Sequence, residues 1–144
     1  MYQQAWQKML QANHILIVSH VHPDGDTLGS ALALYEVLKN AEKKVSHYNK
    51  TKELPYVYDF LPGFSKIKNE LPKGFDLVIS CDCSTLDRLK LPEGAYEIIN
   101  IDHHITNHYF GMMNLVVDRF TSAGMVVYEL LKANEIAITK ECAI

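Results

Sequence analysis

Cysteine is scarce in this chain. The three present, Cys81, Cys83 and Cys142, are an odd number whose one close pair is spaced C-x-C around Asp82. Neither a disulfide framework nor a finger-like zinc site is spelled out, and buried thiols in a reducing compartment are the plain expectation. Long apolar runs are missing as well, with nothing near the roughly 18 residues a membrane span needs. The N-terminal MYQQAWQKMLQANH has no basic region followed by an apolar one, so no export signal is read and the expected location is cytoplasmic. There is no excess of positive charge: 14 Lys and Arg stand against 17 Asp and Glu, for a net charge of −3 without blocks of one sign. A surface built to coat a phosphate backbone is therefore excluded, and any polyanion must be met locally. Repeats, low-complexity tracts and Gly/Ser linkers are absent too, so the expectation is a single domain.

What is present is the composition of a soluble globular chain, 144 residues with 48% hydrophobic and 22% charged. A chain of this size buries roughly 68 to 70% of its unfolded surface and can build a core without staples. Its apolar runs come in an informative order. His14 to Ser19 is a short continuous run ended by the turn residues of HPDGD, as expected of a strand covered on both faces. Leu28, Ala31, Leu32, Tyr35 and Leu38 recur at helical spacing, which predicts a helix of about three turns with Asp26 or Thr27 as N-cap and a stop near Asn40. Lys44 to Tyr48 reads as a weaker strand, and residues 50–73, with Pro55, Pro62, Gly63 and Pro72, as loop with short helical pieces. Phe75 to Cys81 and Tyr96 to Ile101 are two further β-branched strands, and residues 114–117 a short one. Thr121-Ser122 then caps the apolar helix GMVVYELLKA, which stops near Asn134, and the final TKECAI resembles a helix beginning. Strand, helix, strand and further strands with crossovers predict an α/β domain with a mainly parallel sheet flanked by helices.

In such a sheet, ligands bind beyond the carboxyl ends of the strands. ILIVS is followed by His20, His22, Asp24 and Asp26, LVISC by Asp82, and YEIINI by Asp102, His103 and His104. Taken singly each has a plain structural reading: Asp-Gly makes turns, aspartates cap, and paired histidines occur on surfaces. Three strands delivering the same residue types to one edge point instead to a site. Carboxylates and neutral imidazoles without Cys suit Mn²⁺ among the divalent ions, and the number of donors fits two metals. Two such ions would hold and activate water against a phosphoryl group, which points to phosphoester hydrolysis. A helix starting near Thr27, Gly29 and Ser30 would aim backbone N–H groups at the same edge.

HVHPDGDTLGS, CDCSTLDR and IDHHITN resemble the first three motifs of the DHH phosphoesterase family, in their usual order, and the wording is most similar to the branch of bacterial oligoribonucleases and pAp phosphatases, the nanoRNases. The resemblance implies that His20, Asp24, Asp26 and His103 are metal ligands, that Asp82 bridges two Mn²⁺ ions (or Mg²⁺ or another divalent metal), and that Asp102 orients a histidine while His104 contacts the scissile phosphate. Arg88 could meet a second phosphate, although Asp87 beside it makes a surface ion pair equally fitting. His22, Asn107 and His108 receive no role. The implied substrates are short single-stranded RNA and pAp. Cyclic dinucleotides, single-strand exonuclease substrates and inorganic pyrophosphate are alternatives within the superfamily, and a metal- or nucleotide-binding fragment without turnover is one outside it. Nothing after Ile138 supplies the fourth-motif aspartate or the smaller, Gly-rich C-terminal domain that the family adds. The sequence therefore reads as the N-terminal part of a longer enzyme, with self-association through an uncovered face a further expectation.

Overall fold

A computed structural model describes residues 1–144. The chain forms α1 (Tyr2–Gln11), β1 (His14–Ser19), α2 (Gly25–Asn40), β2 (Lys44–Tyr48), β3 (Ile67–Lys68), β4 (Leu77–Cys81), β5 (Ile98–Asp102), β6 (Met113–Val116), α3 (Ala123–Ala133) and α4 (Lys140–Ala143), with 3-10 turns at 56–58, 64–66 and 86–89. One sheet of six strands runs in the order β3-β2-β1-β4-β5-β6, and every neighbouring pair is parallel. The expected mainly parallel α/β architecture is thus wholly parallel.

β1, β4 and β5 are buried along their whole length, which is why their sequences read as unbroken apolar runs rather than alternations. Alternate residues serve two layers. Ile15, Ile17, Leu77, Ile79, Ile99 and Ile101 pack with Met9 of α1, Leu34 and Leu38 of α2, and Val126 and Leu130 of α3. On the other face Leu16, Val18, Val78 and Ile98 meet Leu89, Leu91, Tyr96 and Phe110 from loops. The division follows from handedness: the strand order runs one way from β1 to β2 and the other way from β4 to β5, so right-handed connections fall on opposite faces. The reversal between β1 and β4 opens a crevice at their carboxyl ends, where His20 and Asp82 lie.

Three expectations are corrected. The N-cap of α2 is Asp24, whose Oδ1 accepts from Thr27 N at 2.9 Å, and not Asp26 or Thr27. The helix, 16 residues long, begins two or three residues earlier than predicted because Gly25 and Asp26 already lie inside it. The sequence reading also passed over α1, although Tyr2, Ala5, Trp6 and Met9 recur at helical spacing and the last three are buried. At the other end, Ser122 caps α3 as expected, its Oγ accepting from Met125 N at 3.2 Å. No helix is long and apolar enough to cross a membrane.

Candidate metal centre

Each strand end contributes by a different local device. β1 stops at Ser19, and the next residue, His20, turns its ring so that Nδ1 lies 2.7 Å from the Val21 carbonyl oxygen. The Val21 carbonyl can only accept, so this contact calls for a proton on Nδ1 and leaves the lone pair of Nε2 toward the crevice, whereas Arg88 Nη2, 3.0 Å from the same nitrogen, can donate only to the other tautomer. β4 ends at Cys81, and Asp82 adopts a left-handed backbone with φ of 59°, a conformation that is rare and costly for residues other than glycine. β5 ends on Asp102 itself, with His103 and His104 following.

Two groups of donors result. In the first, His20 Nε2, Asp24 Oδ1 and Asp82 Oδ2 surround the Thr27 hydroxyl at 2.8, 2.9 and 2.7 Å. One hydroxyl proton can serve only one of these three acceptors. In the second, His103 Nε2 lies 3.5 Å from Asp26 Oδ2 and 3.4 Å from Asp82 Oδ1. The His103 Nδ1 lies 3.2 Å from the Phe120 carbonyl oxygen, which can only accept, so in the neutral ring Nε2 is another lone pair facing carboxylate oxygens, and Asp82 Oδ1 is buried without a hydrogen-bond partner. Buried acceptors converging without protons are costly. A divalent cation would satisfy these acceptors, and the O/N donor set fits hard divalent ions. The two oxygens of Asp82 face one group each.

Around these groups the electrostatics are consistent. Burial, reinforced by the charges of Asp26 and Asp24 and opposed by the Thr27 hydrogen bond, pushes Asp82 up to about 6. His20 is held below its ordinary value by burial and by the Arg88 guanidinium, against the Val21 hydrogen bond; Arg88 Nη2 lies 3.0 Å from His20 Nδ1. Asp24 sits low because, although burial acts the other way, its hydrogen bonds from Thr27 favour the carboxylate. His104 is raised: burial opposes its charge, but the hydrogen bond and charge of Asp102 and the charge of Asp82 outweigh it.

Asp102 is fully buried and accepts from His104 Nδ1 at 2.7 Å and from Asn107 Nδ2 at 2.6 Å. With both oxygens engaged it stands behind the histidines, although its carboxylate, with Asp82, His103 and His104, belongs to a cluster whose donor atoms lie within 4.8 Å. Asp26 is more engaged than its motif suggests, since Oδ2 and Oδ1 accept from Ala123 N and Gly124 N at 2.8 and 3.0 Å, at the N-terminus of α3. A carboxylate keeps further lone pairs for a cation.

All the residues singled out from the sequence, His20, Asp24, Asp26, Asp82, Arg88, Asp102, His103 and His104, come together at this edge. His22 and His108 are exposed and join neither group. Cys81 and Cys83 are free and buried; burial raises both thiols, that of Cys83 to about 11, so neither offers a thiolate. The sequence reading missed the Thr27 hydroxyl at the centre of the first group, for which the Asp24-x-x-Thr27 spacing is the available signal, and the segment Phe120 to Gly124, for which there is none.

Comparisons with known proteins find similarity along nearly the whole chain. The model of the DHH family, N-terminal domain, matches residues 14–144. The bifunctional oligoribonuclease and PAP phosphatase NrnA of Thermus thermophilus is 31% identical over an alignment covering 96% of this chain and 45% of that protein; that of Bacillus subtilis is 30% identical, covering 81% and 37%. A probable manganese-dependent inorganic pyrophosphatase of Streptococcus mutans is 28% identical, covering 90% and 44%. The crystal structure of an exopolyphosphatase-related protein from Bacteroides fragilis superposes with a TM-score of 0.84 at 25% identity, over 99% of this chain and 46% of that one. This chain thus spans less than half the length of these relatives. With three motifs on three strand ends and a family match over nearly its whole length, the chain belongs to the DHH family, residues 14–144 corresponding to that family's N-terminal domain.

Proposed function

We propose that these residues form the metal-binding half of a phosphoesterase that hydrolyses short oligoribonucleotides and pAp, with two Mn²⁺ ions as cofactors. The observation that carries the reading is the pair of proton-poor donor groups sharing Asp82. His20, Asp24 and Asp82 Oδ2 would hold one ion, and Asp26, His103 and Asp82 Oδ1 the other. Bound there, divalent cations would supply an activated water and neutralise phosphoryl oxygens.

The chain's own residues do the rest. The His104 ring, with Nδ1 fixed on Asp102 and its side chain 42% exposed, presents Nε2 outward. Its raised basicity favours the cationic form, which is suited to donate a hydrogen bond to a phosphoryl oxygen as charge builds there. Arg88, exposed beside His20, offers a second cation for the additional phosphate of pAp. The NrnA relatives support this substrate class, and the pyrophosphatase relative supplies the competing one.

The deciding experiment measures mononucleotide released from a short RNA, and phosphate released from pAp and from pyrophosphate, with Mn²⁺, for the chain and for Asp82→Ala and His103→Ala. Release from RNA or pAp that both substitutions abolish is the expected result. Cleavage of pyrophosphate alone would move the assignment to that substrate, activity indifferent to either substitution would overturn the site, and Mn²⁺ binding without hydrolysis would place the remaining chemistry on groups beyond these residues.

A further inference from the structure

We infer that Asn107 is a positioning residue for His104, acting through Asp102. The inference rests on the proposed role of His104 at the phosphate. Asn107 is 7% exposed, and its amide uses its full capacity of two donors and two acceptor lone pairs. Nδ2 donates to Asp102 Oδ2 at 2.6 Å and to the Cys83 carbonyl at 3.1 Å. Oδ1 accepts from Tyr109 N at 2.6 Å and from Asn100 Nδ2 at 3.0 Å. A backbone N–H can only donate and a backbone carbonyl can only accept, so the amide has one permissible orientation. That orientation leaves Asp102 Oδ1 for His104 Nδ1 alone.

The support continues outward from the site. Asn100, buried in β5, connects Asn107 toward Asn114 of β6, whose Oδ1 lies 3.5 Å from Asn100 Nδ2. Asn114 clasps Gly111 from both sides, accepting from its N–H at 3.0 Å and donating to its carbonyl at 2.9 Å. A train of amide side chains therefore runs from the edge strand through Asn107 and Asp102 to the ring of His104. It joins the segment after β4, through Cys83, to the segment after β5, through Tyr109. A side chain whose partners are all fixed in this way transmits orientation rather than merely filling space.

The test combines a spectroscopic readout with kinetics. In the ¹⁵N-labelled chain the His104 Nδ1–H resonance, identified by its absence in His104→Ala, is expected in its hydrogen-bonded position and is expected to be lost in Asn107→Asp, which sets an oxygen against Asp102 Oδ2. Asn107→Ala, which removes that repulsion, covers the case in which the Asp variant does not fold. On pAp with Mn²⁺, kcat is expected to fall about 10- to 100-fold in either variant, as for other residues that orient a site from behind, with KM and Mn²⁺ affinity changed by no more than about twofold. Asn107→Asp added to Asp102→Asn is expected to cost nothing further, because the pathway is already cut. A resonance that persists in both Asn107 variants, or a double-variant loss equal to the product of the single losses, overturns the inference. Should the chain hydrolyse nothing, or His104→Ala leave hydrolysis intact, the reading of His104 fails while the resonance still decides the role of Asn107.

Discussion

Asp82 shows what the site costs its residues. Its side chain is 4% exposed, its backbone is left-handed, and one oxygen has no partner. Without a cation the ionised form is disfavoured, as its rise to about 6 records. Asparagine tolerates the same backbone, can accept from Thr27 and can donate to the bare Nε2 of His103, so it satisfies the position without charge. Asp82→Asn is expected to raise metal-free stability at neutral pH by about 1–2 kcal/mol, and to lack the Mn²⁺-dependent rise in melting temperature expected of the unsubstituted chain. Thermal unfolding with chelator and with Mn²⁺ checks both; a variant no more stable than the parent in chelator would contradict the argument. At this scale the sequence was largely legible, because His20, Asp24, Asp82 and His103 follow apolar runs directly and a parallel sheet sends such residues to one edge. Thr27 and Asn107 were not, since what matters for each is the acceptors it meets: Thr27 reaches Asp82 across 55 positions of sequence, and no local pattern encodes that meeting.

Elements were legible where one rule dominated and missed where two competed. β1, β4 and β5, buried on both faces, announced themselves by continuous apolar runs, whereas the two-residue β3 is fixed by pairing with β2 rather than by propensity. α2 began earlier than read because Asp24, read from the sequence as a candidate metal ligand, caps the helix. The N-terminus of α3 likewise serves two purposes, carrying its own cap on Ser122 and holding Asp26 by two backbone N–H groups. The turn into β6 has the least freedom. A Cβ at Gly111 would lie 2.6 Å from the Met113 carbonyl oxygen and 2.9 Å from that of Ile98, both backbone atoms that cannot swing away. Gly111→Ala is therefore expected to destabilise by about 1–3 kcal/mol through forced backbone movement, measured by urea unfolding. An unchanged midpoint would show that the β5–β6 connection yields more easily than its contacts imply.

For the molecule as a whole, the reversal of strand order between β1 and β4 decides that a crevice exists, and the polar groups beneath it decide how the fold responds to pH. His47, on β2, is a buried titratable group among these: its Nε2 is 2.9 Å from Ser19 Oγ, its Nδ1 has no partner, and burial drives its pKa from 6.5 down to about 3. Above the unfolded value the imidazole is neutral in both states and contributes no pH dependence. As pH falls through it, the unfolded chain takes up a proton that the folded chain refuses, so stability declines by about 1.4 kcal/mol per pH unit from this group, until the folded value is reached. Asp82 works oppositely, since protonation below about 6 relieves a buried charge in the folded state, so the unsubstituted chain, free of metal, shows only the difference between such terms. Comparison with His47→Gln isolates one of them, because glutamine retains a donor for Ser19 but does not titrate, while Asp82 is common to both proteins. Urea unfolding in chelator from about pH 7 to about pH 4 is expected to show the variant losing stability on acidification more slowly, by about 1.4 kcal/mol per pH unit. Parallel pH profiles would mean that His47 takes up its proton inside the fold as readily as in the unfolded chain, and would overturn the argument from its burial.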